Sequence, residues 1–232
     1  MVRRKIYGVP SSEDEGQFSH HRTTMGEIVD EMEVLGWTVE QLADALSGMA
    51  LAEIERLGDG NTEDEAPTGS FGYIPISLST FMADLRILDR ALAEDPDYKV
   101  RGKRYRPVKF FEIGCGHGRN LAILRHCSAF DWLSLEGIDI SSRMIELGRR
   151  AYGFDEDELR VDDAMSVDLS GADVVYTYRP FLDDKRQAKF EKHMLNSMKV
   201  SAYLVAPLAM TVSDQKRMIQ IGDAGNVWKK IA

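Results

Sequence analysis

Cysteine is almost missing from this chain of 232 residues; the only two, Cys115 and Cys127, stand twelve positions apart. Two thiols at that spacing make neither a disulfide framework nor a zinc site, and a cytoplasmic, reducing setting is the expectation. Long apolar runs are missing as well, and none approaches the roughly 20 residues that a membrane-spanning helix needs. The basic residues of the opening MVRRK have no apolar stretch behind them, so no secretory signal is expected there. Histidines are few, and His20, His21 and His126 form no metal-binding pattern. No internal repeat or low-complexity tract stands out. A surplus of basic charge is also lacking: the net charge is −9. All of the net acidity sits in residues 1–70, with 15 Asp/Glu against 5 Lys/Arg, whereas the remainder has 23 against 24. That asymmetry suggests two regions with different tasks, and it argues against a strong nucleic-acid binder, which needs a basic surface.

What is present is an ordinary hydrophobic content of 44%, enough for one sizeable core with a small satellite. Residues 1–22 are polar and are expected to be a flexible N-terminus. Residues 23–60 are expected to form a small helical module. Met25, Ile28, Val29 and Met32 recur at helical spacing, Thr38-Val-Glu-Gln41 is a capping box, and Ala50–Leu57 follows as a third short helix. Residues 61–72 are a linker, and 73–232 a second domain. The stretch from Leu35 to Gly58 has a weak resemblance to the helix-turn-helix of phage-repressor-type regulators. Its second helix, however, presents Glu53, Glu55 and a single Arg56, where a DNA-reading helix needs Arg, Lys, Asn or Gln. The module is therefore expected to serve partner contact, homodimer formation or substrate gating.

From about Ser79 to Ala93 a longer helix carries Phe81, Leu85, Leu88 and Leu92 as its stripe. A basic loop follows, with Lys99, Arg101, Lys103, Arg104, Arg106 and Lys109; it is either a solvated loop balancing the acidic module or a patch for an anionic substrate. After Pro107 strands and helices alternate: strands near 108–113, 133–140, 158–161, 172–178 and 201–206, and helices near 120–127, 143–151 and 185–198. The runs 217–221 and 227–231, separated by Gly-Asp-Ala-Gly-Asn, read as a hairpin. The expected fold is α/β: a Rossmann-like, doubly wound, seven-stranded sheet with an antiparallel C-terminal edge hairpin, preceded by the small all-α module.

The first strand of that pattern runs into Glu112-Ile-Gly114-Cys-Gly116-His-Gly118-Arg-Asn120. Glycines at alternate positions describe a turn moulded closely around a ligand, at the strand ends where doubly wound sheets bind. The spacing is not the dinucleotide fingerprint, whose third glycine comes one residue later, and no P-loop lysine follows. The second strand ends at Asp139, placed to accept hydrogen bonds from ribose hydroxyls. The third is followed by Asp163-Ala164, which can hold an adenine amine and ring nitrogen or simply form a turn.

In this order the motifs resemble the class I (Rossmann-like) S-adenosylmethionine-dependent methyltransferases over roughly residues 70–232. Glu112-x-Gly114-x-Gly116-x-Gly118 is similar to their first motif, Gly137-Ile-Asp139-Ile-Ser141 to their second, and Asp173-Val-Val-Tyr176 to their fourth strand. The resemblance implies S-adenosyl-L-methionine as cofactor. Gly114–Gly118 would wrap its methionine part, Glu112 would support the charged end, Asp139 the ribose, and Asp163 and Ala164 the adenine. Tyr73, Cys115, Asn120, Ile140 and Tyr178 complete the implied lining. Tyr73 either closes over the cofactor or packs the linker down. Cys115 reads as a small filler, and His117 as facing solvent or the pocket.

Methyl transfer needs alignment more than a base, because the cofactor brings an activated methyl group. Tyr178 and Arg179, after the fourth strand, are the candidates for the catalytic side. The segment Tyr178-Arg-Pro-Phe181 departs from the Asp/Asn/Ser-Pro-Pro-aromatic signature of amino-methyltransferases acting on DNA, which speaks against a base amine as acceptor. Tyr178 either lines the methyl site or packs against the cofactor, and Arg179 either holds an anionic group or pairs with Asp183 or Asp184. The expectation is a methyltransferase with a small-molecule or protein acceptor, no membrane and no nucleic-acid partner. Its rivals are a non-catalytic methyltransferase-like protein acting through partners and, further off, a DNA-binding regulator.

Overall fold

A computed structural model describes residues 76–126, 130–222 and 226–232. The expected helical module at 23–60, the linker, Tyr73 and Cys127 lie outside the described residues. The description begins just before α1 (Leu78–Glu94). Phe81, Leu85, Leu88 and Leu92, spaced by three or four residues, are all fully buried. Asp95 ends the helix because Pro96 forces the residue before it into extended backbone. The chain then forms β1 (Val108–Ile113), α2 (Arg119–His126), β2 (Trp132–Asp139), α3 (Ser142–Tyr152), β3 (Leu159–Val161), β4 (Val174–Thr177), α4 (Asp184–Ser197), β5 (Tyr203–Val205), β6 (Met218–Ile221) and β7 (Val227–Lys230).

The seven strands lie in the order β3-β2-β1-β4-β5-β7-β6. The first five are parallel, and β7 runs antiparallel between β5 and β6. This is the Rossmann-like, doubly wound sheet with an antiparallel C-terminal hairpin. The later strand of the hairpin lies inside, so the outer edge is β6. Val174–Thr177 is buried throughout, the pattern of a central parallel strand covered on both faces. One face packs α1 against Phe110, Val174, Tyr176 and Tyr203. The other packs Phe190, Met194 and Leu195 of α4 against Phe111, Ile113, Val175 and Leu204. Strand order reverses between β1 and β4, so the crevice for a ligand opens above their carboxyl ends.

Two local choices set the frame of that crevice. Ser141 caps α3 by accepting from Met144 N, and Asp183 caps α4 by accepting from Arg186 N. Strand β4 stops at Thr177, one residue earlier than the apolar pattern suggests. Two residues beyond, Arg179 sits at φ 43, a left-handed conformation in which the chain turns away from the sheet.

The basic loop lies before β1, at the end of the sheet opposite the crevice. Lys103 pairs with Asp131 at 3.1 Å, Arg104 with Asp89 at 2.5 Å and Arg106 with Asp173 at 2.7 Å. These cations are engaged by acids of the same domain. Asp173 is almost fully buried and collects two Arg106 hydrogen bonds, Lys199 at 2.5 Å and the amide of Lys109 at 2.9 Å. Burial alone would raise its carboxyl, but Arg106, Lys199 and that amide hold it below the usual range. Asp173→Ala is expected to cost about 2 kcal/mol in urea unfolding; the loss stays below that of a fully buried pair because both cations reach water. A change within 0.5 kcal/mol would remove Asp173 as the anchor between the loop and β4.

Candidate functional site

The glycine stretch that follows β1 explains its own composition. Gly114, Gly116 and Gly118 have φ of 73, 55 and 77, so each lies in the left-handed region that a side chain disfavours. The alternation folds the backbone back over the strand ends. The amides of Gly114 and Cys115 both donate to Ile138 O, at 2.9 and 3.0 Å, and Gly118 N donates to Cys115 O. Gly118 O then accepts from Ala122 N and begins α2.

Asp139 fastens this turn to the neighbouring strand. Its Oδ2 accepts from Gly116 N and its Oδ1 from Ser141 N, both at 2.9 Å. The residue expected at the ribose therefore also shapes the loop. Asp162 N donates to Asp139 O at 3.1 Å, which brings the turn after β3 alongside. In that turn Asp163 is exposed and accepts from Met165 N at 2.8 Å, as an Asx-turn residue does. Ala164 is half-buried beside it, and Ile140 is largely exposed.

Glu112 lies beneath the turn, 3% exposed. Its Oε1 accepts from Asn120 Nδ2 at 2.7 Å, while Oε2 is buried without a partner. Burial pushes its carboxyl up to about 8, against the smaller opposing pull of Asn120 and of the Arg119 charge. A carboxyl in that condition is suited to a ligand that carries a positive charge. The expected pair of Glu112 and Asn120 is thus joined directly. Two further residues belong with them. Arg119 is 4% exposed and donates from Nη2 to Ile76 O at 2.6 Å. Tyr176, the register partner of Glu112 on β4, has a buried hydroxyl without a partner. Arg119 had a legible signal as the first residue after the last glycine. Tyr176 was marked only as part of the fourth strand, and its place opposite Glu112 could be found only by knowing that β4 lies next to β1.

The segment after β4 reaches the glycine turn through Pro180, whose Cβ is 3.7 Å from the place a Gly114 Cβ would take. Tyr178 is half-buried and packs against the α1-side core. Arg179 donates from Nη2 to Asp184 Oδ1 at 2.5 Å, the pairing alternative for that residue, with Asp183 taken up as a helix cap. Cys115 is buried with its thiol pushed up by burial, in keeping with a filler beside Gly137. Of the two expected placements of His117, solvent is excluded. The ring is buried, with Nδ1 3.2 Å from Tyr152 OH on α3. Burial, then the Arg119 charge, bring its imidazole down to about 4, so it is neutral at ordinary pH. His117 is a packing residue between the loop and α3. Among the described residues no cluster of His, Cys, Asp and Glu is arranged to hold a metal, and no helix is long and apolar enough to cross a membrane.

No protein-family model and no curated protein matches this sequence. Solved structures with a similar course of the chain include the YcgJ protein from Bacillus subtilis, 16% identical over 54% of this chain and 50% of that one, TM-score 0.38. Another is an RNA methyltransferase from Salinibacter ruber in complex with S-adenosyl-L-homocysteine, 17% identical over 68% of this chain and 92% of that one, TM-score 0.41. A third is the [4+2]-cyclase SpnF, 16% identical over 73% and 60%, TM-score 0.38. The chain thus spans half the length of the first and three fifths of the third. Identities and scores this low assign no activity to it.

Proposed function

We propose that this chain binds S-adenosyl-L-methionine in the crevice above β1 and β4 and is a methyltransferase acting on a small molecule or protein. The observation that carries the reading is Glu112 Oε2, a carboxyl oxygen buried without a partner below a turn of three left-handed glycines at the strand-order switch. A buried polar group left unpaired costs stability, and a cationic ligand end would offset that cost. When bound, the cofactor supplies an activated methyl group on a sulfonium. The backbone from Gly114 to Gly118 leaves space for its methionine part, Asp139 accepts from the ribose hydroxyls, and Asp163 with the Ala164 amide holds the adenine. Tyr178, at the exit of β4, orients the acceptor and excludes water from it. The N-terminal module is proposed to serve partner contact or homodimer formation.

Titration calorimetry with S-adenosyl-L-homocysteine tests the binding half. Asp163→Ala should weaken affinity about tenfold, the loss of one hydrogen bond to a charged group. Asp163 is a cleaner probe than Asp139, which also holds the glycine turn. Equal affinity in the variant would free Asp163 from the adenine. A second reading, a cofactor-binding protein without catalysis, is favoured by the engagement of Arg179 with Asp184, which occupies one of the two acceptor-side candidates. Transfer of tritiated methyl from labelled cofactor into cell extract separates the two.

A further inference from the structure

The cations of α4 stand where the helix itself does not want them. Lys185, Lys189 and Lys192 are exposed and follow one another by four and three residues, so they form a single stripe. Like charges at that spacing repel one another. Lys185 also lies in the first turn, against the positive end of the helix dipole, while the last turn, where cations are favoured, has none. Among the described residues no ion pair or hydrogen bond engages these three ammonium groups. The acids of α4 and its cap are already in use. Asp183 caps the helix, Asp184 pairs with Arg179 at 2.5 Å, and Glu191 is buried and accepts from the amides of Met210 and Thr211 at 2.8 and 2.7 Å. Arg217 extends the stripe beyond Lys192, since its Nη1 donates to Asn196 Oδ1, a neutral acceptor, at 2.7 Å.

A row of unmatched cations fits an anionic surface, and the chain carries one of its own: residues 1–70 hold all of its net negative charge. The basic loop before β1 is not the counterpart of that charge, because Lys103, Arg104 and Arg106 are paired within their own domain. The last acids before the described residues are Glu63, Asp64 and Glu65, in a stretch, 57–75, that has no Lys or Arg. We propose that the α4 stripe is the docking surface for this acidic linker of the same chain, with Glu63, Asp64 and Glu65 set along Lys185, Lys189 and Lys192. The reach allows it. Ile76 stands at the crevice end of the sheet, held by Arg119 at the start of α2, and α4 starts at the same end. The chain from Glu65 to Ile76 spans up to about 40 Å, against about 21 Å for the whole of α4. The docking tethers the N-terminal module to the α4 face by a contact that salt weakens, and it stands independently of the cofactor reading.

Zero-length carbodiimide coupling of carboxylates to amines on the full chain, read by peptide mass spectrometry, tests the docking. In low salt, links from Glu63, Asp64 or Glu65 to Lys185, Lys189 or Lys192 are expected in the monomeric band. Raising the salt to about 1 M, where the screening length is about 3 Å, should cut their yield about fivefold. The combined variant Lys185→Glu, Lys189→Glu and Lys192→Glu should melt like the wild type, because the three side chains are exposed, and should lose the docking. Adding Glu63→Lys, Asp64→Lys and Glu65→Lys to it should restore the links, with the roles of the two segments exchanged. The same links in a dimeric band would assign the stripe to a second copy and overturn docking within one chain. Absence of the links, an equal yield in high salt, or no recovery in the exchanged variant overturns it as well. So does equally frequent coupling of the linker acids to Lys99 or Lys109 on the basic loop, since the stripe would then select nothing.

Discussion

Replacing Glu112 by Gln should raise the melting temperature of the ligand-free protein at pH 8 by several degrees and leave it unchanged near pH 4. The sign follows from linkage. An unfolded glutamate ionises at an ordinary pKa of about 4.5, whereas in the fold desolvation raises it to about 8. Between those values the native state binds the extra proton, so stability falls as pH rises. The contribution is fully present below the unfolded value and is lost as pH climbs through the folded one. The slope is about 1.4 kcal/mol per pH unit while only the unfolded chain is ionised. The groups that set it are Asn120 and the Arg119 cation, which favour the carboxylate, and Asp139, which opposes it. Gln keeps the acceptor for Asn120 and removes the ionisation, so the loss across this window disappears. A gain of about 2–4 °C per kcal/mol is expected for a chain of this size. The same variant should bind a cationic ligand end at least tenfold more weakly. Stability and binding therefore move in opposite directions, as at a site built for function. Urea midpoints at pH 5 and pH 8 for both proteins decide the matter. Parallel pH dependence in wild type and variant would place the titration elsewhere.

Gly148→Ala should destabilise the fold by about 3 kcal/mol or more and abolish ligand binding, although alanine is ordinarily the better helix residue by about 1 kcal/mol. Gly148 lies in the middle of α3, at the point where that helix crosses the glycine turn. A Cβ there would stand 2.1 Å from His117 O and 2.7 Å from His117 C, both backbone atoms. Leu159 Cδ2, at 2.8 Å, is a side-chain end that can turn aside, but the two His117 backbone atoms cannot. Either α3 moves off the sheet, or the turn between Gly116 and Gly118 is displaced. Gly153→Ala is the control. That residue ends α3 at φ 70 with open space around it, so only backbone strain applies, and the loss should be about 1 kcal/mol. An alanine at 148 that stabilises the protein would show that α3 does not rest on the loop.

Gly148 also shows where legibility ended. Within the sequence a glycine there only weakens an amphipathic helix, and the close approach of α3 to His117 O alone gives it a purpose. The choice for His117 was open for the same reason: a histidine between glycines can face solvent or the interior until Tyr152 arrives from a helix more than thirty residues away. By contrast, the stripe of α1 was legible because Phe81, Leu85, Leu88 and Leu92 carry helical period within one segment. Glu112 and Asp139 were legible because each is an acid set among apolar residues near the end of a strand. That Glu112 Oε2 is left without a partner, and that Asp139 bonds Gly116 N, are facts about two strands meeting.

What the sequence determined by itself is local in origin. The alternating glycines required left-handed backbone after a strand, apolar periods set the order of strands and helices, and the terminal polar break set a hairpin. The tertiary structure decided which strands are neighbours, that β7 lies inside β6, that the basic loop is far from the crevice, and that Arg119 and Glu112 are buried near one another yet apart. The physical reason is range. Backbone conformation and amphipathic period are properties of a few consecutive residues, whereas desolvation and the pairing of charges depend on groups brought together from distant parts of the chain.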